Sequence, residues 1–236
     1  MAADQTPMPE VAVALDFKGG EEASRLLGAL DGLPLTYKVG LELFIAVGPD
    51  WVRSRVREGK RIFLDLKLHD IPNTVVLAAE RIQDLGVHYF TLHLAGGKRM
   101  ISETTSRLAR LGSPTRALGV SVLTSFTDSE WADLYQRPIS QSVRDLVSLG
   151  LQSGLTGFVC SGWELRELES AHPNSFWVVP GIRPAGSDAQ DQRRTLTPEE
   201  AMALGAKMLV MGRPITQAKE PRQVAQNLLS QLGVRV

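Results

Sequence analysis

The sequence predicts an α/β protein, a single-domain (β/α)8 barrel of the TIM type, and three observations carry that expectation. Apolar runs of strand length alternate eight times with segments of helical spacing. No Pro/Gly/Ser-rich or highly charged stretch divides that alternation as an internal linker would. The 236 residues are close to the typical barrel length of about 250 and few for two domains. One domain over residues 1–236 is therefore expected, with residues 1–9 as a flexible arm. An open doubly wound sheet is the alternative, but it wants a Gly-rich turn after the first strand. Asp16-Phe17-Lys18-Gly19-Gly20 matches that poorly.

The first strand is Val11 to Leu15, ending in Asp16, and Gly19-Gly20 break it before a helix from Glu21 to Leu30 on Ala23, Leu26, Leu27 and Leu30. Leu35 to Gly40 is a second strand carrying Lys38, followed by a helix from about Asp50 to Glu58. Arg61 to Leu64 is an apolar, β-leaning run leading into Asp65 and Lys67. Pro72 sets the first turn of a helix from about Asn73 to Asp84, on Val75, Val76, Ala79, Ile82 and Leu85. Strand four spans His88 to Leu92 and closes in His93-Leu94-Ala95-Gly96-Gly97, before a helix from Lys98 to Leu111. Strand five spans Arg116 to Leu123 and leads to Thr124 and Ser125, with helical stretches near Ser129–Tyr135 and Ser142–Leu151. Gly157 to Cys160 and Phe176 to Val179 are strands six and seven, separated by a short helix from Trp163 to Glu169. Thr197-Pro198-Glu199-Glu200 starts a helix with a cap, an N1 proline and an acidic first turn. Lys207 to Met211 is strand eight, Gly212 to Thr216 its loop, and Pro221 to Leu232 the last helix.

Composition narrows the function. Lys+Arg and Asp+Glu are both 26, so no overall field favours nucleic acid. No run of 18 apolar residues exists, and the N-terminal stretch lacks the basic and apolar regions of a signal peptide. The single Cys160 has no internal disulfide partner and reads as a small core residue, and no Cys/His spacing marks a zinc site. A reducing cytoplasm is the expected compartment, with neither membrane nor nucleic acid as partner.

The chemistry concentrates in Asp65-Leu66-Lys67-Leu68-His69-Asp70-Ile71-Pro72-Asn73-Thr74. Residues two apart on a strand share a face, so Asp65 and Lys67 project together, with Asp70 just beyond. The plainer readings are that Asp70 caps the following helix and that Asp65 with Lys67 is a solvated ion pair. Position argues for more than that. In a barrel the C-terminal strand ends converge on the catalytic mouth. Asp16, Lys38, Asp65, Lys67, Thr124, Arg183 and Arg213 all fall at or beyond such ends. Ions gathered there are tolerable only when neighbours neutralise them.

Gly212 and Arg213 form a candidate phosphate site, since loops after strands seven and eight commonly bind that group. The loop Gly181 to Thr195 is long for a βα connection and reads as a lid, from which Gln192 could reach the same anion. His69 is a candidate base, His93 a candidate support, and the tryptophans at 51, 131, 163 and 177 form no stacking platform.

The decapeptide from Asp65 to Thr74 closely resembles the signature of the orotidine 5′-phosphate decarboxylase family. The resemblance extends in order through Ala14-Leu15-Asp16, Lys38-Val39-Gly40, Leu123-Thr124-Ser125, Pro180-Gly181-Ile182-Arg183-Pro184, Asp191-Gln192 and Gly212-Arg213-Pro214-Ile215-Thr216. It implies conversion of orotidine 5′-monophosphate to UMP and CO2, the last step of de novo pyrimidine synthesis, with no metal or organic cofactor. It also implies a homodimer with Asp70 reaching into the partner's site. Lys67 is then the proton donor, flanked by Asp65, Lys38 and Asp70. Asp16 and Lys38 hold the ribose, Thr124 meets the pyrimidine, and Arg183, Gln192, Gly212 and Arg213 meet the phosphate end. Thr74 of the signature is also implied at the substrate. The nearest rival resemblance is to 3-keto-L-gulonate 6-phosphate decarboxylases, which share the Asp-x-Lys-x-x-Asp pattern and use Mg2+. The continuation Ile71 to Thr74, Lys38-Val39-Gly40 and Gln192 argue against it.

Overall fold

A computed structural model describes residues 9–183 and 196–235. Its eight parallel strands close into one barrel in chain order, with β1 (Glu10–Ala14) paired to both β2 (Leu35–Gly40) and β8 (Met208–Met211). Between them lie β3 (Arg61–Leu68), β4 (Tyr89–His93), β5 (Arg116–Val120), β6 (Gly157–Val159) and β7 (Phe176–Val179). Closure excludes the open doubly wound sheet and leaves no unpaired edge.

The outer layer is α1 (Gly20–Ala29), α2 (Leu41–Arg57), α3 (Pro72–Asp84), α4 (Gly97–Arg110), α5 (Asp128–Tyr135), α6 (Ile139–Gln152), α7 (Gly162–Ala171), α8 (Pro198–Ala203), α9 (Arg213–Thr216) and α10 (Pro221–Gln231). Alternation along each strand sorts side chains between two cores. Val11, Val13 and Leu15 face the helices in the larger cluster, whereas Ala12 and Ala14 join Phe63, Leu118, Val178 and Met208 inside the barrel. At the N-terminal end the interior closes on Glu10, which accepts a 2.7 Å hydrogen bond from the Tyr89 hydroxyl.

Several boundaries depart from expectation for identifiable reasons. The second helix begins at Leu41 rather than near Asp50 and continues across a kink at Gly48, whose φ of 70° is open to glycine, before Pro49 restarts it. Its first turns escape periodicity because Leu41 and Ile45 point outward, at 53% and 79% exposure. Strand five stops at Val120, so Thr124 stands on the following loop, and Arg213 to Thr216 is one helical turn rather than a loop. Thr197 caps α8 with a full capping box, as its sequence predicts. The expected arm at residues 1–9 falls outside the described residues except for its last position, and most of the expected lid, with Gln192, Arg193 and Arg194, lies outside them too.

Candidate active site

The interior rows of the first three strands turn polar as they reach the C-terminal mouth. Ala12 and Ala14 are followed at the next inward position by Asp16, Thr36 by Lys38, and Phe63 by Asp65. The four charges form a chain. Lys38 Nζ lies 3.3 Å from Asp16 Oδ1 and 3.7 Å from Asp65 Oδ2, and Lys67 Nζ donates to Asp65 Oδ1 at 2.9 Å. Asp65 thus stands between two ammonium groups. The side chains of Lys38 and Asp65 keep only 13% and 14% exposure, so the pair of aspartates and the pair of lysines must neutralise one another.

Lys67 reaches Asp65 by a route that simple alternation does not describe. The β3–β4 register runs from Leu64↔Phe90 to Leu68↔Leu92, so Asp65, Leu66 and Lys67 all stand opposite Thr91. The strand bulges, and Lys67 adopts φ of 51°, unusual for a residue with a side chain. The hydroxyl of the fully buried Thr91 accepts from the Lys67 backbone N–H at 2.8 Å and donates to Asp65 Oδ1 at 2.9 Å. No motif marks Thr91, and a threonine within a β-strand carries no signal of its own.

A cavity of about 230 Å³ opens over this chain. Asp16, Lys38, Asp65, Lys67, Thr124, Arg183, Gly212 and Arg213 all line it, with Val122, Pro180 and Gly181 among the residues that complete its wall. Arg183 is buried to 8% exposure, its guanidinium donating to the Ile182 carbonyl at 3.0 Å and its backbone N–H to Leu196 at 2.9 Å. Cys160 also lines the cavity, but its thiol is buried and held well above the usual thiol range by desolvation, which makes it unreactive.

Two predicted residues stand outside the cavity of their own chain. Asp70 and Thr74 are both exposed, Asp70 beyond the end of β3 and Thr74 in the first turn of α3. Asp70 is not the cap of α3. The N-cap is Ile71, without a side-chain cap bond, and the Asp70 carboxylate accepts the Ile71 N–H at 2.6 Å. Nor is the Asp65–Lys67 pair a solvated one, given the burial of Asp65 and its bond to Thr91. His69 stacks on His93 with ring centroids 5.3 Å apart. His93 accepts the Ala95 N–H through Nδ1, a supporting contact, and burial with nearby His69 and Lys67 lowers its pKa. Among the described residues no group of three or more His, Cys, Asp or Glu could hold a metal ion, and no helix is long and apolar enough to cross a membrane.

Known proteins resemble this one along nearly their whole length. Residues 9–228 match the family described as Orotidine 5'-phosphate decarboxylase / HUMPS. The orotidine 5'-phosphate decarboxylase of Idiomarina loihiensis is 42% identical over 228 residues, covering 96% of this chain and 99% of the relative. That of Cutibacterium acnes is 42% identical over 212 residues, covering 89% and 90%. The crystal structure of the Lactobacillus acidophilus orotidine 5'-phosphate decarboxylase superposes with a TM-score of 0.85 at 33% identity, covering 96% of this chain and 100% of that one. Barrel, mouth and sequence agree, and this chain belongs to the orotidine 5′-phosphate decarboxylase / HUMPS family.

Proposed function

We propose that this protein decarboxylates orotidine 5′-monophosphate to UMP, in the cytoplasm, as the closing step of pyrimidine nucleotide synthesis. The observation that carries the reading is the alternating chain Asp16–Lys38–Asp65–Lys67 inside the cavity. Breaking the C6–carboxylate bond releases CO2 and leaves an electron pair in the plane of the pyrimidine, outside its π system. With no ring orbital to accept that pair, the protein must stabilise it electrostatically. The Lys67 ammonium meets that need, then gives C6 its proton and regains one from solvent.

One such charge contact near 4 Å is worth about 4 kcal/mol at an effective dielectric of 20. The largest rate enhancements require about 23 kcal/mol or more. Lys67 therefore acts with help. In this reading Asp65 and Lys38 fix its ammonium, Asp16 and Lys38 hold the ribose, and Thr124 meets the base. Arg183, Gly212 and Arg213 take the phosphate, with Gln192, and binding energy from that remote group is used at the reacting carbon.

The active unit in this reading is a homodimer in which Asp70, with Thr74, serves the neighbouring site. Two observations support it. Asp70 is exposed and outside the cavity of its own chain. Leu41, Ile45, Ile71 and Leu77 are large apolar side chains left exposed on α2, on α3 and in the turn between β3 and α3, and such side chains suit contact with a second copy.

The test is UMP formation from orotidine 5′-monophosphate, with and without EDTA. Equal turnover in both is expected. Absence of UMP, or activity that EDTA abolishes and Mg2+ restores, would contradict the reading.

A further inference from the structure

Asp65 and Lys67 owe their geometry to a residue on a different strand. The bulge removes Lys67 from the regular β3–β4 ladder, and a buried N–H without a partner is costly. The Thr91 hydroxyl supplies that partner at 2.8 Å and itself donates a hydrogen bond to Asp65 Oδ1 at 2.9 Å. One oxygen thereby ties the backbone of Lys67 to the carboxylate that its own ammonium contacts. The ring Lys67 N–H, Thr91 Oγ1, Asp65 Oδ1, Lys67 Nζ closes on itself. A left-handed backbone at Lys67, with φ of 51°, persists only where surrounding contacts over-determine it.

We infer that Thr91 is a positioning residue for the decarboxylation: its hydroxyl clamps the β3 bulge and so sets where the Lys67 ammonium stands relative to the reacting carbon. The inference deepens the decarboxylase reading and rests on it. Thr91 is not among the residues that line the cavity, so removing its hydroxyl leaves the groups that face a bound substrate in place. A displaced ammonium costs most in the transition state, where C6 carries charge.

Thr91→Val keeps the shape of the side chain and removes the hydroxyl, Thr91→Ala removes it without a β-branched replacement, and Thr91→Ser retains it. The expected result is a 10- to 100-fold fall in kcat for both hydroxyl-free variants, with KM within about threefold of wild type, and recovery to within about threefold in Thr91→Ser. Amide hydrogen exchange at Lys67 gives a second readout without turnover, slow in wild type and in Thr91→Ser and fast in Thr91→Val. Wild-type kcat in Thr91→Val, or a change confined to KM, would overturn the inference. Loss of the folded barrel in both hydroxyl-free variants would also overturn it, by making Thr91 a residue of the fold alone. A wild-type protein that forms no UMP would sink the decarboxylase reading and the inference together. If that protein still showed the Lys67 exchange pattern, the hydrogen-bond geometry would stand without its catalytic meaning.

Discussion

Lys67 donates to Asp65 at 2.9 Å from a left-handed backbone, two residues along a strand that bulges between them. Strain and burial at the same two residues are what a structural ion pair would avoid. They are retained where side-chain direction matters more than stability.

The phosphate end should drive chemistry as well as binding. Arg213→Ala is expected to lower kcat/KM for orotidine 5′-monophosphate by 100-fold or more, an effect of about 2.7 kcal/mol or larger. The residual rate on orotidine should hardly change, because in this account Arg213 acts on the phosphate that orotidine lacks. The measurement is kcat/KM for both substrates on both proteins. Equal slowing of the two would assign Arg213 to the fold or the pyrimidine site instead.

Sites shared between subunits can be complemented. Lys67→Ala and Asp70→Ala chains should each be inactive, and mixing them with subunit exchange should restore activity. In the mixed dimer one site has both residues intact. No recovery, with exchange demonstrated by differential labelling, would mean that each chain supplies its own Asp70.

The exposed apolar side chains of α2 and α3 give an independent check on the dimer. Ile45→Asp, at a position 79% exposed in the single chain, should shift sedimentation toward monomer and reduce activity in parallel. Ile45→Leu should do neither. A monomeric wild-type protein with full turnover would contradict this use of the surface.

Most of the barrel is legible in the sequence because its apolar strands are short, bounded and regularly alternated with helices. Asp16, Lys38 and Asp65 are legible for the same reason: each continues the inward row of its strand past the last small or apolar residue. Thr91 is not, since a threonine within an apolar strand looks like any β-former. Its role depends on the register shift, which arises between strands and leaves no local pattern. The start of α2 is hidden for a different reason. Leu41 and Ile45 are apolar yet exposed, so they break the periodicity that marks the rest of the helix.

Half-buried histidines should make the fold sensitive to mild acid. His88 and His93 both titrate below the ordinary 6.5, chiefly because burial disfavours the imidazolium. At His88 the Arg61 guanidinium adds to the effect, and Nδ1 is buried without a hydrogen-bond partner. The unfolded chain takes up these protons near pH 6.5 and the folded chain only at lower pH. Their contribution to stability is therefore complete above about 6.5 and is lost as pH falls through the lowered folded values. The expected outcome is a Tm that falls between pH 7 and pH 5, with a shallower fall in His88→Gln, read by thermal melts in a series of buffers. Identical slopes would contradict it.

The most direct test of the carbanion account is the turnover of Lys67→Ala on orotidine 5′-monophosphate, with circular dichroism and melting to establish that the barrel is intact. In that account, removing the ammonium removes both the charge beside C6 and the proton that C6 receives. The predicted result is a folded protein whose kcat has fallen by about a thousand-fold or more. A folded variant that keeps more than about a tenth of wild-type turnover, a loss of less than about 1.4 kcal/mol, would contradict it.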